Sequence, residues 1–356
     1  MQLNLALIGY GGVNQGLVDV LRQKQARLQR QHDLTLNIVA VTDLRGGLVW
    51  NRGGLDLAAL AAVPANGFSF RELAGSDGGY HPELTLERTL ELLAADFIDV
   101  VVEATFTDPA SGEPALTHCK AALAHGKHVV TTNKGPIALA LSTLQQLAES
   151  GRARLKYEGA VMSGTPVLRQ LSTTLRGCDF NGFAGILNGT SNFVLGQVEQ
   201  GRSMAEAIRE AQRLGYAEAN PAADIDGHDV QLKVTILANA LWDARLQPGD
   251  VPCRGITQLS EDDIRAARAE GGAWKLIGQA TRQADGRLAA SVAPQRLPAG
   301  HPLLAATGAT NAIAFDTDLL GRVTISGPGA GRVETAFAIL SDLIELADEL
   351  AIPHKE

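Results

Sequence analysis

Short, continuous apolar runs alternate with helical stretches over the first half of the chain, and this alternation constrains the fold most strongly. The predicted strands of this half are residues 3–8, 36–41, 99–104 and 128–130. Predicted helices lie between them, for example at residues 14–31 and 115–124. Apolar strands separated by helices predict a parallel sheet that is covered on both faces. Residues 46–79, rich in Gly, Ala and Asn, are predicted to be irregular.

The pattern changes after about residue 155, where the predicted strands indicate a second, mixed or antiparallel sheet. These strands are residues 180–187, 276–282, 288–292 and 311–315. A helical block at residues 203–242 lies between them and opens on a capping-box pair, Ser203 and Glu206. Residues 332–350 are predicted to form a final amphipathic helix. At 356 residues, the chain is long enough for two domains.

Composition excludes several classes of protein. With 45% hydrophobic and 20% charged residues the chain has an ordinary globular composition, and its net charge of −8 argues against nucleic acid as the main partner. The N-terminus has no signal-peptide pattern, and no apolar run approaches the roughly 18 residues that span a bilayer. The three cysteines form no disulfide framework, so we expect a cytoplasmic protein in a reducing compartment.

The first predicted strand enters a glycine-rich turn that opens a helix, which is where a dinucleotide-binding fingerprint belongs. Gly9 would permit the tight turn, and Gly11, followed by Gly12 and Val13, would permit close approach of a pyrophosphate to backbone N–H groups. Asn14 occupies the position of the usual third glycine, where it could loosen helix–strand packing or cap the helix. A plain glycine turn is the alternative interpretation.

Charged residues follow two other predicted strands of the first half. Asp43 would bind the ribose hydroxyls of NAD, whereas Arg45 could hold the 2′-phosphate of NADP and so allow that cofactor to be accepted. Lys134 follows residues 128–130 and is predicted at the carboxyl end of a parallel strand, where ligands of α/β proteins bind. For all three residues, a solvated loop is the alternative.

Residues 215–229 are the most acidic part of the chain, with four acids within 12 residues. Asp229 and Lys233 are four residues apart and therefore share one helix face beside an apolar stripe. A partly buried lysine near carboxylates can exchange a proton, although a simple helix ion pair is the alternative. Upstream, the loop of residues 188–191 can offer N–H and hydroxyl donors to a carboxylate, or it can be a strand-to-helix turn capped by Thr190 or Ser191.

Taken in this order, the motifs resemble those of the homoserine dehydrogenase family. The matching segments, which cover nearly the whole chain, are GYGGV at 9–13, residues 102–116, TTNKGP at 131–136, residues 157–166, GILNGTSNF at 185–193, residues 215–233 and residues 326–336. The GILNGTSNF and 215–233 segments are highly specific, whereas the glycine turn is not. Asn14 is the main departure from the family pattern.

The resemblance implies reversible, nicotinamide-dependent reduction of aspartate 4-semialdehyde to homoserine, in threonine and methionine biosynthesis. It also implies an α/β protein in which a Rossmann-type dinucleotide-binding domain at residues 1–155 is completed by a returning C-terminal helix at about 326–356. Residues 156–325 would then form an α+β catalytic and dimerisation domain of a homodimer. Because only six residues follow the last predicted helix, we expect the short, monofunctional type without a regulatory domain.

The resemblance also implies roles for individual residues. Lys233 is similar to the family's catalytic lysine, and Lys134 to its lysine on the cofactor and substrate side. Substrate binding would involve Glu218, Asp224, Asp229, Asn188 and Thr190. Cofactor binding would involve the glycine turn with Asn14, Asp43, Arg45, Thr105, Lys134 and Gly329. A monovalent cation, Na⁺ or K⁺, would be held largely through the backbone by Glu158, Val161, Ser163 and Thr165.

Two rival functions are considered. Another Rossmann oxidoreductase, acting on an amino-acid-like or sugar substrate, would share the glycine turn but has no reason to carry GILNGTSNF with the acid-rich segment. A dinucleotide-sensing protein without catalysis would need an output element, such as a DNA-binding helix pair or a basic patch, and the sequence contains neither pattern.

Overall fold

The computed structural model describes residues 1–352, and its first half alternates strands and helices. The elements of this half are β1 (Gln2–Ile8), α1 (Gly12–His32), β2 (Thr35–Asp43), β3 (Gly47–Asn51), α2 (Leu57–Ala62), β4 (Gly78–His81), α3 (Leu86–Leu93), β5 (Val100–Glu103), α4 (Ala115–Ala124), β6 (His128–Thr131), α5 (Lys134–Ser150) and β7 (Leu155–Lys156).

The second half supplies five strands and six helices to the described part of the chain. They are β8 (Phe180–Ile186), α6 (Gly189–Glu199), α7 (Met204–Arg213), α8 (Ala222–Ile225), α9 (His228–Trp242), α10 (Glu261–Ala269), β9 (Ala273–Arg282), β10 (Leu288–Leu297), β11 (Thr310–Thr317), β12 (Gly321–Pro328) and α11 (Arg332–Ala351). The capping box at Ser203 and Glu206 is confirmed at the start of α7.

The first sheet has seven strands in the order β4-β3-β2-β1-β5-β6-β7. Strands β2, β1, β5, β6 and β7 are parallel to one another. Strand β1 is central: β2 pairs with it on one side and β5 on the other. The carboxyl ends of β1 and β5 therefore form a topological switch point, the place where open α/β sheets bind ligands. The predicted Rossmann-type parallel sheet is confirmed.

The prediction that residues 46–79 are irregular is wrong. This segment contains β3, α2 and the first residues of β4, and β3 pairs antiparallel with both β2 and β4. Glycine is a poor strand former, but here the strand needs it: a Cβ on Gly79 would lie 2.2 Å from the ring of Trp50. The high glycine content therefore reflects close packing and not the absence of strands.

The second sheet is antiparallel, with the order β10-β9-β8-β11-β12. The predicted second sheet is thus confirmed in its antiparallel form, while α10 and the edge strand β12 were not predicted. Strand β12 alternates only between exposed and half-buried residues, so it lacks the apolar pattern that reveals an internal strand.

Packing divides the chain into two compact units, one formed by residues 1–160 with the segment from Gly331 onward and the other by residues 161–330. In the first unit, the C-terminal helix α11 packs against α1. A Cβ on Gly16 would lie 2.8 Å from Arg332 O, and Arg332 Nη2 donates to Asp19 at 2.6 Å. Of the predicted C-terminal portion, residues 353–356 lie outside the described residues.

Candidate active site

The turn between β1 and α1 has the features that a pyrophosphate requires. Gly9 has φ +83°, and a Cβ there would lie 2.9 Å from Ala104 O, so only glycine fits. By contrast, a Cβ on Gly11 or Gly12 would meet nothing within 4 Å, which leaves open space over the backbone. Helix α1 begins at Gly12, and no side chain caps it. Its first N–H groups are thus suited to hold an anion.

Asn14 does not cap helix α1, so one of its two predicted roles is wrong. It lies in the first turn of the helix and is fully buried. Its Nδ2 donates to Gly9 O at 2.6 Å, and this hydrogen bond links the start of α1 to the glycine turn. The close helix packing that a third glycine would permit is provided instead by Gly16 against α11. Val13 is partly buried against the core of the same unit.

Asp43 ends β2 with its carboxylate held from two sides. Oδ2 accepts from the Tyr10 N–H at 3.0 Å, and Oδ1 accepts from the backbone N–H and Nε of Arg45, both at 2.9 Å. Burial alone would raise the pKa of Asp43, but these hydrogen bonds hold it below its usual range. The Arg45 guanidinium lies 3.6 Å from the centre of the Phe68 ring, so both residues are more ordered than the solvated-loop alternative requires.

Thr105 and Lys134 lie at the carboxyl edge of the same sheet. Thr105 follows β5 and donates its hydroxyl to Glu103, while Lys134 is the first residue of α5, directly after β6. Glu103 also accepts from Asn133, the residue before Lys134. Sequence reasoning missed Glu103 and Asn133. The available signal was an acidic residue that ends an otherwise apolar buried strand.

In the second unit, Lys233 is buried in α9 at the end of strand β8. Its Nζ donates to Leu187 O at 2.6 Å and to Asp229 Oδ2 at 2.7 Å. Lys233 and Asp229 form the predicted ion pair on one helix face, and because their side chains are only 8% and 14% exposed, this pair is buried and not solvated. A lysine enclosed in this way beside a carboxylate has the surroundings of a proton donor.

Asn188 connects the acids of this site. Its Nδ2 donates to Asp224 Oδ1 at 2.7 Å and to Asp229 Oδ2 at 2.9 Å, while its Oδ1 accepts from Ser191 N and caps α6. The helix cap is therefore Asn188 and neither Thr190 nor Ser191. The side-chain amide of Asn188 thus joins Asp224 to Asp229.

Asp224 is a carboxylate of this group with a perturbed pKa. Burial, together with the charge of Asp229, raises the pKa of Asp224. The hydroxyl of Thr190 donates to Tyr216 O at 2.6 Å and so holds the loop before Asp224. Glu218, in contrast, is exposed, and the structure gives its side chain no contact with this group.

The remaining predicted residues lie in two backbone segments. Glu158 opens a short helical turn and donates its N–H to Asp342, whereas Val161, Ser163 and Thr165 are buried in the loop that follows. Within that loop Met162 and Ser163 have left-handed φ angles of 56° and 53°. Gly329 is required by packing, because a Cβ there would lie 2.0 Å from Asn311 Nδ2.

None of the helices in residues 1–352 combines the length and hydropathy needed to cross a membrane. Comparison with family models matches residues 9–158 to the NAD-binding domain of homoserine dehydrogenase and residues 166–344 to homoserine dehydrogenase itself. The NAD(+)-dependent homoserine dehydrogenase of Pseudomonas canavaninivorans is 52% identical over 97% of this chain and 96% of its own.

Solved structures show the same similarity. A putative homoserine dehydrogenase from Archaeoglobus fulgidus is 32% identical, with a TM-score of 0.85 over 97% of this chain and 99% of its own. A hyperthermophilic archaeal homoserine dehydrogenase in complex with NADPH is 28% identical, with a TM-score of 0.80 over 99% of both chains. The chain belongs to the homoserine dehydrogenase family.

Proposed function

We propose that this protein is a homoserine dehydrogenase that interconverts L-homoserine and L-aspartate 4-semialdehyde with NAD(H) or NADP(H), in the synthesis of threonine and methionine. The observation that carries the proposal is the buried Lys233, paired with Asp229 and joined through Asn188 to Asp224. The rival sensing protein has no need for a buried lysine beside two linked acids.

The residues of the first unit suit the cofactor. The open backbone at Gly11 and Gly12, at the uncapped start of α1, would hold the pyrophosphate, and Asp43 would hold a ribose. A bound nicotinamide dinucleotide supplies or accepts the hydride. Thr105, Lys134 and Gly329 remain proposed cofactor residues, with residues 1–155 and about 326–356 as the dinucleotide-binding domain.

The residues of the second unit suit the substrate, and we assign residues 156–325 as the catalytic domain. In the direction of reduction, Lys233 Nζ stabilises negative charge on the carbonyl oxygen and then donates a proton to it. Lys134, the first residue of α5 in the other unit, is a second proposed catalytic residue. Asp224 and Asp229 accept hydrogen bonds from the substrate ammonium, and the exposed Glu218 is a further proposed substrate-binding residue.

The proposed activity is tested by initial rates of homoserine oxidation with NAD⁺ and with NADP⁺. We expect homoserine-dependent reduction of at least one dinucleotide, and none with serine or glycerol in place of homoserine. A preparation that binds NADH but oxidises no homoserine would contradict the assignment and favour a sensing protein.

We further propose that NAD⁺ is the preferred cofactor. The Asp43 carboxylate is fixed and negatively charged, which suits a ribose hydroxyl and repels a 2′-phosphate. The guanidinium of Arg45, which could otherwise offset that repulsion, is engaged by Asp43 and by Phe68. The 52% identical relative is named as NAD(+)-dependent, and this name supports the same preference.

Replacing Asp224 by asparagine should weaken substrate binding and stabilise the protein without ligand. Loss of one charge-assisted hydrogen bond of about 1.5–3 kcal/mol corresponds to a rise of about 10- to 150-fold in the KM for homoserine. Because the folded-state pKa of Asp224 is raised, its contribution to stability is present at low pH and is lost as the pH rises through that pKa. The variant should therefore unfold at a higher temperature than the parent at pH 8, and this advantage should shrink at pH 4.

The matched control is Asp226→Asn, two residues further along and outside the hydrogen bonds that Asn188 makes. It should leave the KM for homoserine unchanged. Thermal melts of the apo proteins at both pH values, with steady-state kinetics at pH 8, provide the measurements. An unchanged KM in Asp224→Asn would remove Asp224 from the substrate site.

The loop that contains Glu158, Val161, Ser163 and Thr165 is proposed to hold Na⁺ or K⁺ through backbone carbonyls, which are oxygen ligands that suit hard cations. The two adjacent left-handed residues, Met162 and Ser163, support a specialised backbone here. Complete replacement of both cations by a bulky organic cation should lower turnover or the unfolding temperature. Unchanged values of both would exclude the site, and readdition of K⁺ at constant ionic strength is the control.

A homodimer in the cytoplasm is the proposed assembly and location. Leu319 and Leu320, in the turn before edge strand β12, are 71% and 61% exposed, which supports an apolar contact surface there. Sedimentation equilibrium of the purified protein tests the dimer, and a mass equal to one chain would contradict it.

A further inference from the structure

Glu103 is a fully buried carboxylate at the carboxyl end of β5, beside the switch point of the first sheet. Its neighbours across the sheet are Ile8, the last residue of β1, and Thr131, the last residue of β6. The glycine turn follows directly after Ile8. Glu103 therefore lies at the edge of the sheet where three segments begin: the glycine turn after β1, the loop after β5 and the loop after β6.

The two carboxylate oxygens of Glu103 join the loops that follow β5 and β6. Oε1 accepts from the backbone N–H of Thr105 at 3.2 Å and from the Thr105 hydroxyl. Oε2 accepts from Asn133 Nδ2, which also donates to Thr105 O at 3.0 Å. Thr131 Oγ1 donates to the backbone carbonyl of Glu103 at 3.0 Å, so both loops are fastened to one residue.

Asn133 bonds through its side chain to Glu103 and Thr105 and not to the start of its own helix. It is the N-cap residue of α5, a position where asparagine normally bonds to its own helix, yet its side chain makes no capping hydrogen bond. Its amide donates to Glu103 and Thr105 instead. The residue that follows it is Lys134, so the carboxylate of Glu103 fixes the point at which Lys134 enters the helix.

The side chain of Glu103 is buried among hydrogen-bond donors. A buried carboxyl group is costly unless its oxygens are hydrogen-bonded, and both oxygens of Glu103 are. His118 Nδ1, buried in α4, lies 3.5 Å from Oε1 and completes the surroundings of the carboxylate. Since Thr105 and Asn133 both donate, the position requires a residue that only accepts.

We propose that Glu103 is a positioning residue that sets Thr105 and Lys134 for the nicotinamide end of the cofactor. This inference rests on the proposed function, because the role of the two loops depends on it. Glu103 itself touches neither substrate nor cofactor. Its effect should therefore fall on turnover and leave binding of the dinucleotide through the glycine turn and Asp43 unchanged.

The test is Glu103→Gln in the full chain. The NH₂ group of the new amide would face a hydrogen-bond donor, either of Thr105 or of Asn133, because both donate to Glu103. The two donors repel each other, and we expect the loop after β5 or the loop after β6 to be displaced. A displacement of this kind can lower kcat on the order of 10²-fold. The KM for homoserine and the NADH dissociation constant, measured by fluorescence on the apo protein, should stay within about threefold of the parent values.

The matched control is Asp99→Asn, which neutralises a carboxylate just before the other end of the same strand. Asp99 Oδ2 accepts from Asn4 N at 2.7 Å, far along β5 from the ligand-binding edge. This variant should keep the parent kcat while it loses some thermal stability. Comparing kcat of the Glu103 and Asp99 variants separates two effects: loss of any carboxylate at an end of β5, and loss of the hydrogen bonds that join Thr105 and Asn133.

A second variant, Asn133→Ala, tests the same proposal if Glu103→Gln does not fold. It removes only the link to the second loop and should lower kcat about tenfold, again with NADH affinity retained. A kcat within about threefold of the parent in a folded variant would overturn the proposal. Parallel losses of kcat, NADH affinity and thermal stability would also overturn it, as a structural role. Failure of the proposed function is distinguishable, since the parent itself would then oxidise no homoserine.

Discussion

Lys233→Ala should lower the turnover of homoserine oxidation on the order of 10²–10⁴-fold, the range expected for loss of a positioned acid–base group. Lys233 Nζ is held in place by hydrogen bonds to Leu187 O and Asp229 Oδ2, so its replacement removes the positioned proton donor of the proposed mechanism. NADH affinity should barely change, because the glycine turn and Asp43 belong to the other compact unit. Stopped-flow turnover and fluorescence titration on the same preparation provide both measurements.

Loss of stability is the competing explanation, because Lys233 is buried and paired. Breaking a buried ion pair costs about 3–5 kcal/mol when one partner is left behind, although Asp229 keeps its hydrogen bond from Asn188. Lys275→Ala is the control, since Lys275 is equally buried in the same unit, 3.6 Å from Glu199. It should lose stability and retain turnover. If Lys233→Ala behaved in the same way, Lys134 would become the candidate proton donor.

Asp43→Asn should change the ratio of NAD⁺ to NADP⁺ efficiency on the order of 10²-fold in favour of NADP⁺. The amide oxygen can still accept from Tyr10 N–H, so the turn should survive, but the charge that binds ribose and repels a 2′-phosphate is gone. The measurement is kcat/KM with both dinucleotides at saturating homoserine. An unchanged ratio would show that Asp43 serves only the internal hydrogen bonds of the turn.

Arg45→Ala is the informative companion to that variant. If Arg45 braces Asp43, as its two side-chain bonds indicate, its loss should weaken both cofactors by similar, small factors. If Arg45 holds a 2′-phosphate, the KM for NADP⁺ should rise while that for NAD⁺ stays constant. The second result would contradict the NAD⁺ preference proposed from the geometry.

Much of the fold follows from local patterns. The apolar runs at β1, β2, β5 and β6 are predicted because a buried parallel strand has apolar residues on both faces. The pair Asp229 and Lys233 is predicted on one face by its spacing alone. The glycine-rich strands β3 and β4 are not predicted, because their stability comes from contacts such as Trp50 over Gly79, which no local propensity records.

The sequence by itself determined the apolar strands of the first half, the place of the glycine turn and the resemblance to the family, because apolar runs, glycine turns and sequence motifs are local properties. Only the tertiary structure decided which polar side chains the protein uses internally. Glu103 and Asn133 are 30 residues apart and meet because the carboxyl ends of parallel neighbours lie at one edge. Asn188 likewise bonds to Asp224 and Asp229, which lie 36 and 41 residues further along the chain, because hydrogen-bond partners are set by proximity in space and only packing brings such residues together.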